Sequence, residues 1–359
     1  VWGTGSVVKG IYYSAIGDHR GPRGTAKIYR YDPENKRLRE LVDVGQFLLS
    51  RGAIPADMNY VPGKIHTRLM MGRDGWLYYG THRGREEPAD DKHGYQGDWI
   101  LRTHPLSGET EIVASQPVPK HSIPAGLIDP DRMIFYGGTS PGADAPNQKG
   151  QFLAFDLKKR RILKVADGGF IRNAIFASST GRVYWDGQMY DPATNVISAS
   201  EAPEFVRSAT WESPQGIVYG TCALKCDLWA FHVRTGRLEQ LGFGGVGKET
   251  YTASMASDPS GRYLYYVPGA HGGTSGDGAP VVQYDTRTRR LKVIAFLDSY
   301  YFEKYGYHPD GTYSVVSDAT GATLYVTWNG MRRGHPRGWE SCALTAIHIP
   351  ASERPPGVY

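Results

Sequence analysis

The sequence of 359 residues predicts an all-β fold, a seven-bladed β-propeller with four antiparallel strands in each blade. Two short segments each recur seven times, which averages about 51 residues per repeat and is typical of a propeller. Aromatic residues make up 12% of the chain, including 24 Tyr and 8 Trp, and this composition favours strands. No segment has the apolar period of a long helix. We therefore expect residues 1–359 to form a single propeller domain.

The first recurring segment is short and apolar or aromatic, and it ends in Asp or His followed by a turn. Its copies are IYRYDPENKRL, ILRTHPLSGET, FLAFDLKKRRI, QMYDPATNVI, WAFHVRTGRL, VQYDTRTRRL and LTAIHIPAS. A second segment lies upstream of each copy, as in DGWLYYGT and TGRVYWDG, and tight turns such as GRDG and STGR precede it. With the strands of a blade named A to D from the innermost outward, the A–B and C–D turns are short.

Extra length is concentrated in the loops between strands B and C. The longest of these loops cover residues 82–97, 138–149, 268–280 and 329–340. Consecutive strands are antiparallel, so these loops lie on the same face of the propeller as the chain that enters each A strand. Long insertions on one face of a repeat scaffold usually indicate the binding face.

Composition limits the classes of function. A hydrophobic fraction of 40% excludes a disordered chain. The sequence contains no run of 18 apolar residues, so it predicts no transmembrane helix. Lys and Arg exceed Asp and Glu by 41 to 36, without a dense basic run, so an acidic partner is favoured over nucleic acid. The chain begins at Val1 without a signal pattern, and we expect a mature secreted or periplasmic protein. Cys222 and Cys226 are either ordinary buried thiols or a short disulfide, which would suit an oxidising compartment.

The entrances to the A strands carry polar and aromatic side chains that we expect at the mouth of the central channel. Arg172 and Arg207 occupy matching positions in blades 4 and 5, and buried Arg usually has a partner. The other members of this rim are His66 and Arg68 in blade 2, His121 in blade 3, Tyr251 in blade 6 and His308 in blade 7.

His, Arg and Tyr without paired carboxylates favour β-elimination from a uronic acid polymer. Glycoside hydrolysis normally needs two carboxylates, and Glu249 is the one carboxylate of the rim segments. A Ser nucleophile lacks its G-x-S-x-G setting. In elimination, Arg neutralises the uronate carboxylate, which makes the C5 proton acidic, while His and Tyr act as base and acid. We assign the catalytic roles to His66, His121, Tyr251, Arg172 and Arg207, and the reaction requires no cofactor.

The blade count and the rim of His66, His121, Arg172 or Arg207, and Tyr251 resemble the propeller-fold polysaccharide lyases, such as ulvan lyases and rhamnose–glucuronate lyases. The resemblance implies a His and a Tyr acting as base and acid, with an Arg neutralising the uronate of an anionic polysaccharide. The oligogalacturonate lyases, which are also propellers, bind a metal through a C-terminal His-x-His, and this chain contains no such motif.

A second group of side chains lies in the B–C loops. His19, His82, His271 and His335 are candidate ligands of a structural divalent cation, or hydrogen-bond donors to a sugar. We expect Arg68, His82, Arg83, His308, Trp328 and Trp339 to bind substrate, because indole rings stack on sugars. Two other functions remain open: a glycoside hydrolase of unusual mechanism, and a non-catalytic platform that binds acidic glycans or peptides.

Overall fold

The computed structural model of the chain describes residues 3–18, 24–55, 61–83, 94–142, 148–335 and 339–354. Their strands form seven antiparallel sheets in which neighbours along the chain are neighbours in the sheet. Six sheets have four strands, and the seventh has three within the described residues. The predicted fold class, a seven-bladed β-propeller, is confirmed. The chain divides into two compact units, with Arg172 the last residue of unit 1 and Asn173 the start of the main segment of unit 2.

Unit 1 contains blades 1 to 3 and one short helix, α1, which spans Val44–Ser50 and begins where Asp43 Oδ1 accepts a hydrogen bond from the Gln46 N–H. The strands of the three blades are β1 Ser6–Val8, β2 Ile11–Gly17, β3 Ala26–Asp32, β4 Arg37–Asp43, β5 Met70–Met71, β6 Leu77–Gly80, β7 Trp99–Thr103, β8 Thr110–Ser115, β9 His121–Asp129, β10 Ile134–Pro141, β11 Gln151–Asp156 and β12 Arg161–Asp167.

Unit 2 contains blades 4 to 7 and a second helix, α2, which spans Asp298–Tyr305 and ends at Gly306 in the left-handed conformation. Its strands are β13 Ile175–Ala177, β14 Arg182–Trp185, β15 Gln188–Asp191, β16 Val196–Ala199, β17 Val206–Ala209, β18 Ile217–Cys222, β19 Asp227–His232, β20 Arg237–Phe243, β21 Met255–Ser257, β22 Tyr263–Tyr266, β23 Pro280–Asp285, β24 Arg290–Phe296, β25 Tyr307–Ser317, β26 Thr323–Arg332 and β27 Ser341–His348. Two short 3-10 helices span Thr274–Asp277 and Ala351–Glu353.

Burial decreases from the first strand of a blade to the last. Every residue of β9 is buried, whereas three of the four residues of β16 are exposed. A strand covered on both faces needs apolar or small residues throughout, which is why the inner segments do not alternate clearly in sequence. The outer strands face solvent on one side and carry the charged residues.

The recurring Asp or His of the repeat caps the turn between the third and fourth strands. The Asp32 carboxylate accepts hydrogen bonds from the N–H groups of Glu34 and Asn35, at 3.1 and 3.3 Å. This Asx-type turn satisfies backbone donors that the hairpin leaves unpaired. The same role falls to Asp156, Asp191, Asp285 and, through its Nδ1, His104.

Four residues after each of these five residues, and four residues after His232 in blade 5, the backbone adopts the left-handed conformation. Gly occupies this position twice, at Gly108 and Gly236, where it carries no steric penalty. In the other four turns the residue is Lys36, Arg160, Asn195 or Arg289, with φ between 49° and 58°. The repeat signal therefore encodes a four-residue turn rather than a side-chain contact in the core.

The long B–C loops lie where the sequence predicts them, with two starting later because the second strands of their blades are longer. Strand β10 continues to Pro141 and β26 continues to Arg332, so these loops begin at residues 142 and 333. All three cysteines are free thiols, so the disulfide considered for Cys222 and Cys226 is wrong. Burial raises the pKa of Cys226 to about 11. No helix of the described residues is both long and apolar enough to cross a bilayer.

Candidate functional site

In unit 1, the chain entering blade 2 pairs with the end of its second strand. Lys64 and His82 form an antiparallel bridge, with N–H to carbonyl distances of 3.0 and 2.9 Å in the two directions. Side chains from Lys64 to Leu69 alternate between partly exposed and buried, so Lys64, His66 and Arg68 share the more open face. The predicted meeting of an A-strand entrance with a B–C loop is present in this blade.

This pairing brings His66 and His82 together, although the sequence placed them in separate groups. Their ring centroids are 5.3 Å apart. The surroundings are cationic: burial, with a smaller contribution from the nearby Arg172 guanidinium, lowers the pKa of Lys64 from 10.5 to about 8. Burial lowers the pKa of Arg68 to about 10. Such shifts are expected where cations are removed from water.

His121, at the start of β9, is 3% exposed and has a hydrogen-bond partner on each ring nitrogen. Its Nδ1 lies 2.8 Å from Thr139 Oγ1, and its Nε2 lies 2.8 Å from Gln148 Oε1. Burial lowers the pKa of this imidazole, the bond with Gln148 opposes the shift, and the charge of Arg83 adds to it. A proton transfer between His121 and a substrate would require one of these hydrogen bonds to break.

In unit 2, a buried guanidinium lies between two tyrosine rings. Arg207, on β17, is 6% exposed, and its Nε donates a hydrogen bond to the Tyr251 hydroxyl. Its guanidinium carbon is 4.8 Å from the Tyr251 ring centroid and 5.5 Å from that of Tyr313, which lies on β25. Both distances are within the range of cation–π attraction.

The loop after β22 adds a histidine to this group. His271 is exposed, and its ring lies edge-on to that of Tyr251 at 4.4 Å and tilted to that of Tyr313 at 6.0 Å. The N–H groups of Gly269 and Ala270 both donate to the Tyr251 carbonyl, at 2.9 and 3.0 Å. The backbone hydrogen bonds thus fix the His271 loop to the segment that carries Tyr251.

Trp339 completes the aromatic border of this group. Its ring is 6.3 Å from that of Tyr313, nearly perpendicular to it. Its φ of 60° is in the left-handed region, which a bulky side chain seldom adopts. We call Arg207, Tyr251, His271, Tyr313 and Trp339 the unit 2 cluster.

Three predicted site residues have other surroundings. Trp328 is fully buried and donates from its Nε1 to Thr345 Oγ1 at 2.9 Å, so its assignment as a sugar-stacking residue is wrong. His308 lies 2.8 Å from Asp298 Oδ1 and stacks on Phe302 at 4.1 Å, which ties it to helix α2. His335 is exposed in the turn after β26.

The metal candidates do not assemble where they are described. Over the described ranges of the chain, no three or more His, Cys, Asp or Glu side chains form a group able to hold a metal ion. His82 and His271 instead contact the aromatic and histidine rings given above. His19 lies outside the described residues.

Sequence reasoning missed two features of the unit 2 cluster. His271 was considered as a metal ligand, and Tyr313 was not considered because His308 represented blade 7. The distance to the Asp that caps each A–B turn identifies equivalent positions in different blades. Tyr251 lies seven residues before Asp258, whereas His308 lies ten residues before Asp318. His308 is therefore too far upstream to be the equivalent of Tyr251, and a residue closer to Tyr313 is indicated.

Comparison with known proteins adds support for the fold. No family model and no curated protein matches the sequence. A solved chain from the mitotic checkpoint complex is similar with a TM-score of 0.59 and 9% identity, over 97% of this chain and 86% of that one. A chain from a nidogen/laminin complex has a TM-score of 0.48 and 14% identity, over 79% of this chain and 92% of that one. At 9% identity, the similarity to the chain from the mitotic checkpoint complex is evidence of fold alone.

Proposed function

We propose that this protein is a polysaccharide lyase that cleaves a uronic-acid-containing polysaccharide by β-elimination. The observation that carries the proposal is the contact of Tyr251 with both Arg207 and His271 in the unit 2 cluster. These are the three side-chain types that elimination requires, and backbone hydrogen bonds hold two of them together. The sequence suggested His66 and His121 as the histidines, but His271 is the one in contact with Tyr251.

Arg207 supplies the charge that activates the substrate. The C5 proton of a uronate is poorly acidic while the neighbouring carboxylate is negatively charged. A guanidinium binds that carboxylate with strong, charge-assisted hydrogen bonds and stabilises the enolate-like charge that develops as the proton leaves. Because Arg207 is buried, this attraction is screened less than it would be at the surface.

His271 and Tyr251 divide the proton transfers. His271 is exposed to incoming substrate and removes the C5 proton. The C5–H electron pair forms the C4–C5 double bond, the C4–O bond breaks, and Tyr251 gives its proton to the departing glycosidic oxygen. The Tyr251 hydroxyl accepts from Arg207, and within the described residues its own proton has no acceptor, which suits it to act as the acid.

Tyr313 and Trp339 bind the sugar rings in this scheme. Aromatic faces stack on the apolar faces of sugars, and Trp339 is only partly buried. Its left-handed backbone has an energetic cost, and such strain in a bulky residue is more frequent at functional sites than elsewhere.

The test is the ultraviolet absorbance of the unsaturated uronate on a panel of uronate polysaccharides. Tyr251→Phe and His271→Gln should each lower kcat by about 10²–10⁴, because each removes a general acid or base. Tyr190→Phe is the matched control, since Tyr190 also loses a hydrogen bond, to Asn195 at 2.9 Å, but lies on β15. Melting temperatures of all three should show that they are folded.

Arg207→Gln should lower kcat by about 10²–10³, as the loss of one electrostatic stabiliser usually does. Arg262→Gln is its control, because the Arg262 guanidinium lies 4.9 Å over the Tyr263 ring but pairs with Asp285. Undiminished turnover of carboxyl-reduced polymer would exclude elimination. New reducing ends without absorbance would indicate hydrolysis, and binding with neither signal would indicate a platform for acidic glycans.

A further inference from the structure

The loop that carries His271 is held by hydrogen bonds on both sides of this residue. Before it, the two backbone bonds described above join the loop to the Tyr251 carbonyl. After it, the Gly273 N–H donates to Asp310 Oδ1 at 2.9 Å, and the Ser275 hydroxyl donates to the same oxygen at 2.8 Å. Hydrogen bonds to a carboxylate are stronger than those between neutral groups. The second attachment of the loop therefore depends on one side chain of β25.

Strand β25 is bulged where it carries this side chain. Its register against β26 shifts between Pro309 and Gly311, and again between Gly311 and Ser314. Asp310 lies within the first shift and Tyr313 within the second. A β-bulge redirects the side chains near it, and bulges are over-represented beside active sites. The two side chains that β25 directs towards the His271 loop thus come from its two irregular positions.

Gly311, between the two bulges, lets β25 approach this loop closely. A Cβ at this position would lie 2.8 Å from the Ala270 carbonyl oxygen and 3.0 Å from that of Gly269, which is too close for a side chain. Glycine is the residue that permits such an approach of two backbone segments. The strand that carries Asp310 is therefore packed backbone against backbone on the loop that carries His271.

We infer that Asp310 is a positioning residue that holds the His271 imidazole beside Tyr251 for removal of the C5 proton. The inference rests on the function proposed for the unit 2 cluster. His271 is exposed, so the geometry of its loop determines where its ring lies. Asp310 also fixes this loop relative to Tyr313, because both residues lie on β25 and the Tyr313 ring is 6.0 Å from that of His271.

The kinetic experiment compares Asp310→Ala and Asp310→Asn with Asp318→Ala as the matched control. Asp318 follows the other end of β25, and its Oδ1 accepts from the N–H groups of Thr320 and Ala322, both at 3.0 Å. Loss of either aspartate removes hydrogen bonds to a loop of the same blade, but Asp310 alone holds the His271 loop. Melting temperatures show how much of each variant is folded.

Asp310→Ala should lower kcat by about 10²-fold, the cost of misplacing a reacting group by about 1 Å. KM should change little, because the side chains that bind the sugar are still present. Asp310→Asn should recover most of the rate, since its amide oxygen can accept both bonds. Asp318→Ala should lower the melting temperature and keep the turnover of the folded fraction. In a His271→Gln background, Asp310→Ala should cause no further loss, because both changes act on one group.

A second readout needs no turnover. The His271 ring-proton resonances, assigned by their absence from His271→Gln, should move in Asp310→Ala and stay in place in Asp318→Ala. Ser275→Ala, which removes one of the two bonds, should move them by less and replaces Asp310→Ala if that variant does not fold.

Undiminished kcat in Asp310→Ala, or an equal further loss of rate in the His271→Gln background, would overturn the inference. A wild type without elimination activity would refute the proposed function instead. In that case unchanged His271 resonances in Asp310→Ala would separately show that Asp310 does not position this ring.

Discussion

Lys64 lies among other cations of unit 1, Arg68 and Arg172, and replacing it tests whether its buried charge lowers the stability of the folded protein. Burial and the charge of Arg172 lower its pKa from 10.5 to about 8. Each pKa unit corresponds to about 1.4 kcal/mol, so the charged form of Lys64 destabilises the folded state by about 3 kcal/mol. Lys64→Met retains most of the apolar stem and removes the charge. We therefore expect this variant to be more stable than the wild type at pH 7, by about 1–3 kcal/mol.

The pH dependence gives the sign of the effect. In the unfolded chain Lys64 is protonated up to pH 10.5, whereas in the folded chain it loses its proton near pH 8. Between these values the unfolded state binds more protons, so the stability of the wild type rises with pH. Below pH 8 both states are protonated and the full penalty applies. Lys64→Met lacks this contribution, so its advantage over the wild type should shrink as the pH rises from 8 towards 10.5.

Urea denaturation at pH 7 and at several values up to 10.5 measures both quantities. The difference between wild type and variant cancels the titration of the other lysines and tyrosines. Lys27→Met is the control: Lys27 forms ion pairs with Glu40 and Asp43, and the hydrogen bond to Glu40 raises its pKa. The Lys27→Met variant should not be more stable than the wild type at pH 7. A Lys64→Met protein less stable than the wild type, or a stability difference that does not change with pH, would refute the reasoning.

Two further predictions concern the scaffold. Gly236→Ala should lower the free energy of unfolding by about 1 kcal/mol. The cause is backbone strain alone, because φ is 72° and an added Cβ would meet no neighbouring atom. Gly236→Asn should lower the free energy of unfolding by less, because Asn195 occupies the equivalent position of another blade with a positive φ. Chemical denaturation of the two variants measures this, and equal stabilities would contradict it. Trp328→Phe should cost about 1–3 kcal/mol by the loss of its bond to Thr345, with turnover per folded molecule unchanged. A selective loss of turnover would return Trp328 to the site.

The sequence was a good guide to the fold because its repeat reports local geometry. Asp32 and its counterparts cap turns within four residues, and Lys36 and its counterparts take up the left-handed conformation that follows. Such short-range constraints recur identically in each blade, so self-similarity identifies them. Helices α1 and α2, of seven and eight residues, are too short to leave a periodic apolar stripe, so the sequence pattern did not predict them.

The site was predicted less completely because it depends on contacts between distant segments. Antiparallel geometry correctly predicted that A-strand entrances meet B–C loops, as Lys64 meets His82. It could not say that His271 would contact Tyr251, because that depends on how the loop around Gly269 and Gly272 turns through left-handed conformations. Nor does a sequence distinguish Trp328, buried within β26, from Trp339, in the loop that follows it.

Tyr95 in unit 1 and Tyr251 in unit 2 each lie against a buried arginine, and their hydroxyl groups have different hydrogen-bond partners. In unit 1 the Tyr95 hydroxyl donates to Asp98, so its proton is committed to a structural bond. In unit 2 the Tyr251 hydroxyl accepts from Arg207, and the exposed His271 ring lies beside it. A tyrosine that accepts from a cation keeps its proton available to a substrate. Of these two tyrosines, Tyr251 is therefore the one suited to proton transfer.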